Sequence, residues 1–107
     1  AQWRQQLDDM ADTTATFAAN DQTALGARLY LYEQGLRVPE DVSLVGVDDI
    51  ALSAYQIPPL TTVRQPIQDI GIALGRALRA VLAGEVPTLP RLELRLVERA
   101  SVREVRA

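Results

Sequence analysis

From Val42 to Val47 the chain reads Val-Ser-Leu-Val-Gly-Val, apolar almost throughout, between a polar turn at Pro39, Glu40 and Asp41 and two adjacent carboxylates, Asp48 and Asp49. A short β-branched run with turn chemistry on both sides predicts a strand buried on both faces. Strands of that kind belong to parallel sheets covered by helices. Asp48 then stands at the carboxyl end of the strand, where open α/β sheets bind their ligands. Upstream, Trp3, Leu7 and Met10 fall at i, i+4 and i+7 and predict a helix end over 1–11. A helix that opens at residue one implies a chain cut from something longer.

Asp12, Thr13 and Thr14 predict a turn, and 15–19 a short strand ending on Asn20-Asp21. Either polar side chain can cap a following helix, because its oxygen reaches the free amides of the first turn. Ala24, Leu25, Leu29 and Tyr32 recur at helical spacing, and Gly35 closes that helix as a left-handed cap. Strand, helix and the Val42 strand make a βαβ unit. Residues 50–56 predict a loop or helical turn. Pro58-Pro59 forbids a helix there, since neither residue donates an amide. Thr61-Thr62-Val63 predicts a third strand, and Pro66 the first position of a new helix. Ile67, Ile70, Leu74, Leu78, Val81 and Leu82 draw a long apolar stripe over 67–83, ended by Gly84. Gly71 and Gly75, one turn apart on this helix, let another backbone come close. Over 89–97, Leu92, Leu94 and Leu96 alternate with Arg91, Glu93 and Arg95 and predict a strand with one wet face. The charged tail 98–107 is expected to be partly loose. The fold class is α/β, a parallel sheet of at least three strands flanked by helices, and the stripe over 67–83 exceeds what so small a sheet can cover.

Composition narrows the chemistry. The chain of 107 residues is at most one small domain. Its 48% hydrophobic and 23% charged content are ordinary for a globular protein. All eleven basic residues are Arg, and a net charge of −3 gives no basic face for nucleic acid. Without Cys there is no disulfide, no thiolate metal site and no cysteine nucleophile, and without His the commonest general base and metal ligand is missing. These gaps argue against an enzyme, a metal site and a cofactor. No apolar run approaches the ~20 residues of a membrane span.

Three blocks in register resemble the LacI family of bacterial transcription regulators: FAANDQTALGA (17–27), GLRVPEDVSLVGVDD (35–49) and PPLTTVRQP (58–66). Gly71 and the strand ending in Val97-Glu98-Arg99 extend the resemblance, which covers 14–101. It implies the C-terminal portion of a type I periplasmic-binding-protein-like fold of two lobes. On that reading 1–64 belong to the C-terminal lobe, and 65–86 form a crossing and a helix of the N-terminal lobe. Residues 87–107 then return to the C-terminal lobe, and the rest of the N-terminal lobe and a DNA-binding helix-turn-helix are absent from the chain. The 67–83 stripe would then pack on the missing lobe.

The resemblance also implies site residues. Asp48 matches an effector-contacting acid whose carboxylate accepts hydrogen bonds from sugar hydroxyls or a nucleoside; its alternative is a strand-end aspartate satisfying local amides. Asn20 matches a second contact, with helix capping as the alternative, and Asp21 is read as a cap. Val47 stands where relatives often carry an aromatic residue, which removes stacking from that position. Gln65 and Ile67 match pocket-lining positions at the lobe crossing, with hinge packing as the alternative, and Arg64 is read as a solvated hinge residue, with pairing to an acidic effector as the alternative. Leu25, Tyr55 and Gln56 match the family's dimer interface, with ordinary core packing as the alternative. The implied partners are a small-molecule effector, sugar or nucleoside-like, operator DNA through the absent domain, and a second copy of the chain, in the cytoplasm and away from membranes. Two competing functions are weighed. A solute-binding receptor of a transporter shares the fold, but PPLTTV fits it less well. An enzyme or phospho-receiver could use Asp48 and Asp49 to hold Mg²⁺, but a receiver would need a further acceptor aspartate at another strand end and a Lys, and the chain has no Lys.

Overall fold

The computed structural model describes Gln5 and residues 12–105. Apart from Gln5, the helix expected over 1–11 lies outside the described residues. In chain order the elements are β1 (Ala15–Phe17), α1 (Asp21–Glu33), β2 (Ser43–Val47), a 3₁₀ turn (Ala51–Tyr55), β3 (Thr61–Arg64), α2 (Ile67–Leu82) and β4 (Arg95–Val97). The strands form one sheet in the order β1-β2-β3-β4. β1, β2 and β3 are parallel, with Thr16 opposite Leu44, Val45 opposite Thr61 and Gly46 opposite Thr62. The chain divides into two compact units: one ends at Arg64 and resumes at Leu96, and the other is Gln65–Arg95.

In the first unit, α1 supplies the small residues Ala24 and Ala27, which together with Ala18, Leu44 and Leu60 form one buried cluster. Alanines on the inward face allow the helix to approach the sheet closely. A second cluster joins Tyr30 and Leu31 to Val42, and Val38 packs against both. Leu44 and Leu60 are fully buried, each burial contributing about 2 kcal/mol. The Asn20 side chain accepts the Thr23 amide at 2.8 Å and starts α1. Gly35 ends it at φ +74°, with Gly35 N bonded to Tyr32 O and Leu36 N to Leu31 O. That paired pattern satisfies carbonyls the helix would otherwise leave open.

The amino end of the sheet is tied by a segment expected to be partly loose. Ser101, nearly fully buried, donates through Oγ to Leu44 O at 2.5 Å and accepts the Thr61 amide at 2.8 Å. Its carbonyl accepts the Leu44 amide, and Arg103 N donates to Ser43 Oγ. The tail is therefore fastened through Arg103, because the open amides and carbonyls at the ends of β2 and β3 need partners.

The second unit contains α2. It begins at Ile67 as the stripe predicts, with Pro66 as the residue before its first turn rather than within it, and closes on Gly84 at φ +77°. None of its residues is buried, and Ile67, Leu74, Leu78, Val81 and Leu82 are all exposed. The strand expected over 89–97 is only Arg95–Val97, and Leu94 and Leu96 are 64% and 61% exposed. Pro90 donates no amide to a ladder. The neighbouring β3 is only four residues long.

Candidate functional site at the carboxyl edge of the sheet

Because β1, β2 and β3 run parallel, their carboxyl ends share one edge, and Asn20, Asp48 and Arg64 follow or close the three strands there. The edge is built around a carboxylate that was expected to cap α1. Asp21 is instead wholly buried. Its Oδ1 accepts Thr62 Oγ1 at 2.6 Å, and its Oδ2 accepts Ser53 Oγ at 2.6 Å and the Ile50 amide at 3.0 Å. One side chain thus joins the start of α1 to β3 and to the loop leaving β2. Asn20, one residue earlier in extended backbone, is better placed to reach the first-turn amides. Gly46 makes room for this carboxylate: a Cβ there would overlap Asp21 Oδ1 and press on Leu60 Cδ2 at 3.1 Å.

After Val47, half-buried at the end of β2, the backbone turns through two residues in the left-handed region, Asp48 at φ 118° and Asp49 at φ 53°. Neither is glycine, so the turn is strained and must be held by its surroundings. The Asp48 amide donates to Val63 O at 2.8 Å, and the Asp49 amide to Thr62 Oγ1 at 3.4 Å. The Asp48 side chain is exposed. The Asp49 side chain, 9% exposed, points into two guanidinium groups. Arg99 Nη2 donates to its Oδ1 at 2.7 Å, while Arg64 donates to Oδ2 through Nε at 2.7 Å and Nη2 at 2.6 Å. Arg99 also donates to Leu60 O at 3.0 Å and is largely covered, whereas Arg64 is 49% exposed. Burial pushes the Asp49 carboxyl up, but the hydrogen bonds and charges of Arg99 and then Arg64 outweigh it and hold the group below the usual carboxylate range.

This arrangement corrects the reading of Arg64 as a solvated hinge residue, since it is half of an ion pair. With both Asp49 oxygens committed to guanidinium groups, Asp48 and Asp49 do not form a paired cation site. Among the described residues no group of three or more His, Cys, Asp or Glu could hold a metal ion, and no helix is long and apolar enough to cross a membrane. Of the other expected contacts, Gln65 is half-buried, its carbonyl accepting the Ile67 amide, and Ile67 is exposed. Both belong to the second unit.

The residues expected at a dimer contact lie elsewhere in the first unit. Leu25 on α1 lines an open groove of about 520 Å³ with Leu29, Tyr32, Val38, Ile57 and Pro58. Tyr55, on the 3₁₀ turn, is 81% exposed. Gln56 is buried and accepts Arg28 Nη1 at 3.3 Å, so it is packed within the unit.

Residues 1–102 match the family model of a periplasmic binding protein-like domain. The transcriptional regulator CelR of Thermobifida fusca is 40% identical over 94 residues, covering 88% of this chain and 28% of that protein. The transcriptional repressor PurR of Aliivibrio fischeri is 53% identical over 65 residues, covering 61% of the chain and 19% of that protein. Among solved structures, the lac repressor dimer bound to operator and the anti-inducer ONPF superposes with a TM-score of 0.81 at 38% identity, covering 94% of this chain and 36% of that one. A CelR–cellobiose complex gives 0.79 at 41% identity, covering 89% and 30%. The chain belongs to the LacI family of transcriptional regulators, within its periplasmic binding protein-like domain. It spans between 17% and 28% of the length of the curated relatives it matches. Those relatives are regulators of transcription rather than enzymes.

Proposed function

We propose that this chain is the effector-binding and dimerisation region of a transcriptional repressor, and that a sugar or nucleoside-like molecule bound at the carboxyl edge controls DNA binding by a helix-turn-helix elsewhere in the whole protein. The observation that carries this reading is the position of Asp48, an exposed acidic residue in a strained turn at the carboxyl end of the middle parallel strand. Asp48 accepts hydrogen bonds from ligand hydroxyls, Asn20 offers its amide donor while its oxygen caps α1, and Val47 stands beside them at the end of β2. Two similar solved structures, one a complex with cellobiose and one with operator and an anti-inducer, support this class of ligand and partner. Ligand that prefers one arrangement of two lobes shifts the population of DNA-binding states in proportion to that preference. The helix α2, with its exposed stripe, serves as part of the second lobe, and Leu25, Tyr55 and the groove beside them form the contact between two copies. The protein works in the cytoplasm, where its operator is.

The test is a thermal-shift screen of the full-length protein against pentoses, hexoses, disaccharides and nucleosides. A compound that raises the melting temperature of the wild type and not of Asp48→Ala is the expected result. A compound that shifts both equally contradicts the assignment of Asp48.

A further inference from the structure

Asp48 and Asp49 are two consecutive non-glycine residues at positive φ, a combination that survives only where its surroundings impose it. Of the backbone amides of the turn, that of Asp48 is bonded to Val63 O at 2.8 Å, whereas the Asp49 amide bond to Thr62 Oγ1 is long at 3.4 Å. The strongest restraint is the Asp49 side chain, held from both sides by charge-assisted bonds of 2.6–2.7 Å. The two arms differ. Arg99 is covered and also fastened to Leu60 O, whereas Arg64 is half in solvent and is the last residue of β3, directly before Gln65, where the second unit begins.

We infer that Asp49 is a positioning residue: its clamp between Arg99 and Arg64 holds the turn that presents Asp48, and Arg64 is the solvent-facing arm of that clamp. This deepens the effector reading and rests on it for the role of Asp48. Arg99 anchors the turn to the body of the sheet, and Arg64 sets how firmly it is held.

Amide hydrogen exchange on the full-length protein tests the clamp without any effector. In Arg64→Met, protection of the Asp48 and Ile50 amides should fall by about tenfold, the loss expected for charge-assisted bonds on a half-exposed arm. The Leu44 amide, bonded to Ser101 O, should keep its protection, and the melting temperature should barely move. Arg64→Lys, which restores the charge, should recover most of the lost protection. Unchanged exchange at Asp48 and Ile50 would overturn the proposal. So would a uniform loss that includes Leu44, because that is the signature of general destabilisation. Local loss in Arg64→Met together with normal ligand response in Asp48→Ala would uphold the clamp and remove the effector reading alone.

Discussion

Asn20 has two duties that can be separated by chemistry. Its side-chain oxygen caps α1, and its amide nitrogen is the group assigned to the effector. Serine caps as well as asparagine but carries no amide, so Asn20→Ser should leave unfolding free energy nearly unchanged while weakening ligand binding. Asn20→Ala should lose both, with about 1 kcal/mol of stability, measured by urea titration. Gly46 makes the complementary case for the buried Asp21. Gly46→Ala should cost about 2–3 kcal/mol, because the added methyl displaces a carboxylate that holds three donors. Asp49 gives a pH dependence with a definite sign. Its folded-state pKa is lowered, so its contribution is fully present above the unfolded value near ~3.9 and is lost as pH falls through the folded value. Urea titrations at neutral pH and then below about pH 4 should show Asp49→Asn losing less stability on acidification than the wild type. An identical acid limb would contradict the clamp.

The elements show where linear pattern is informative and where it fails. β2, α1 and α2 were legible because their boundaries rest on local chemistry: turn residues around Val42–Val47, Asn20 before the first turn, and Gly35 and Gly84 at left-handed caps. Asp48 at a strand end was legible for the same reason. Asp49 was not, since nothing in the sequence joins it to Arg99, fifty residues later. The buried role of Asp21 depends equally on Ser53 and Thr62, which come together only when β3 pairs with β2. Ser101 lay hidden in a charged tail because its partners are backbone groups at sheet ends, which no side-chain pattern announces. The alternation over 89–97 misled because regular spacing cannot supply pairing partners. Helix α2 carries a prediction of its own. Its exposed stripe of Ile67, Leu74, Leu78, Val81 and Leu82 is large enough to demand cover, so the 107-residue chain alone should associate in sedimentation velocity. A monodisperse monomer at all concentrations would show that the stripe needs none.

At the scale of the whole molecule, one compact unit carries both the Asp48 edge and the α1 groove, the places proposed for ligand and for subunit contact, while α2 belongs to a second unit. Tyr55, exposed and outside the core, is the cleanest probe of the contact. Tyr55→Asp in the full-length protein should shift a dimer toward monomer without lowering the stability of the subunit. Unaltered sedimentation would move the dimer contact elsewhere. The central claim concerns Asp48, and the most direct measurement is operator occupancy by the full-length wild type and Asp48→Ala, each titrated with the compound found in the sugar and nucleoside screen. Equal operator affinity without ligand, and a ligand response present in the wild type but absent from Asp48→Ala, is the predicted result. The same ligand titration in both proteins would contradict it.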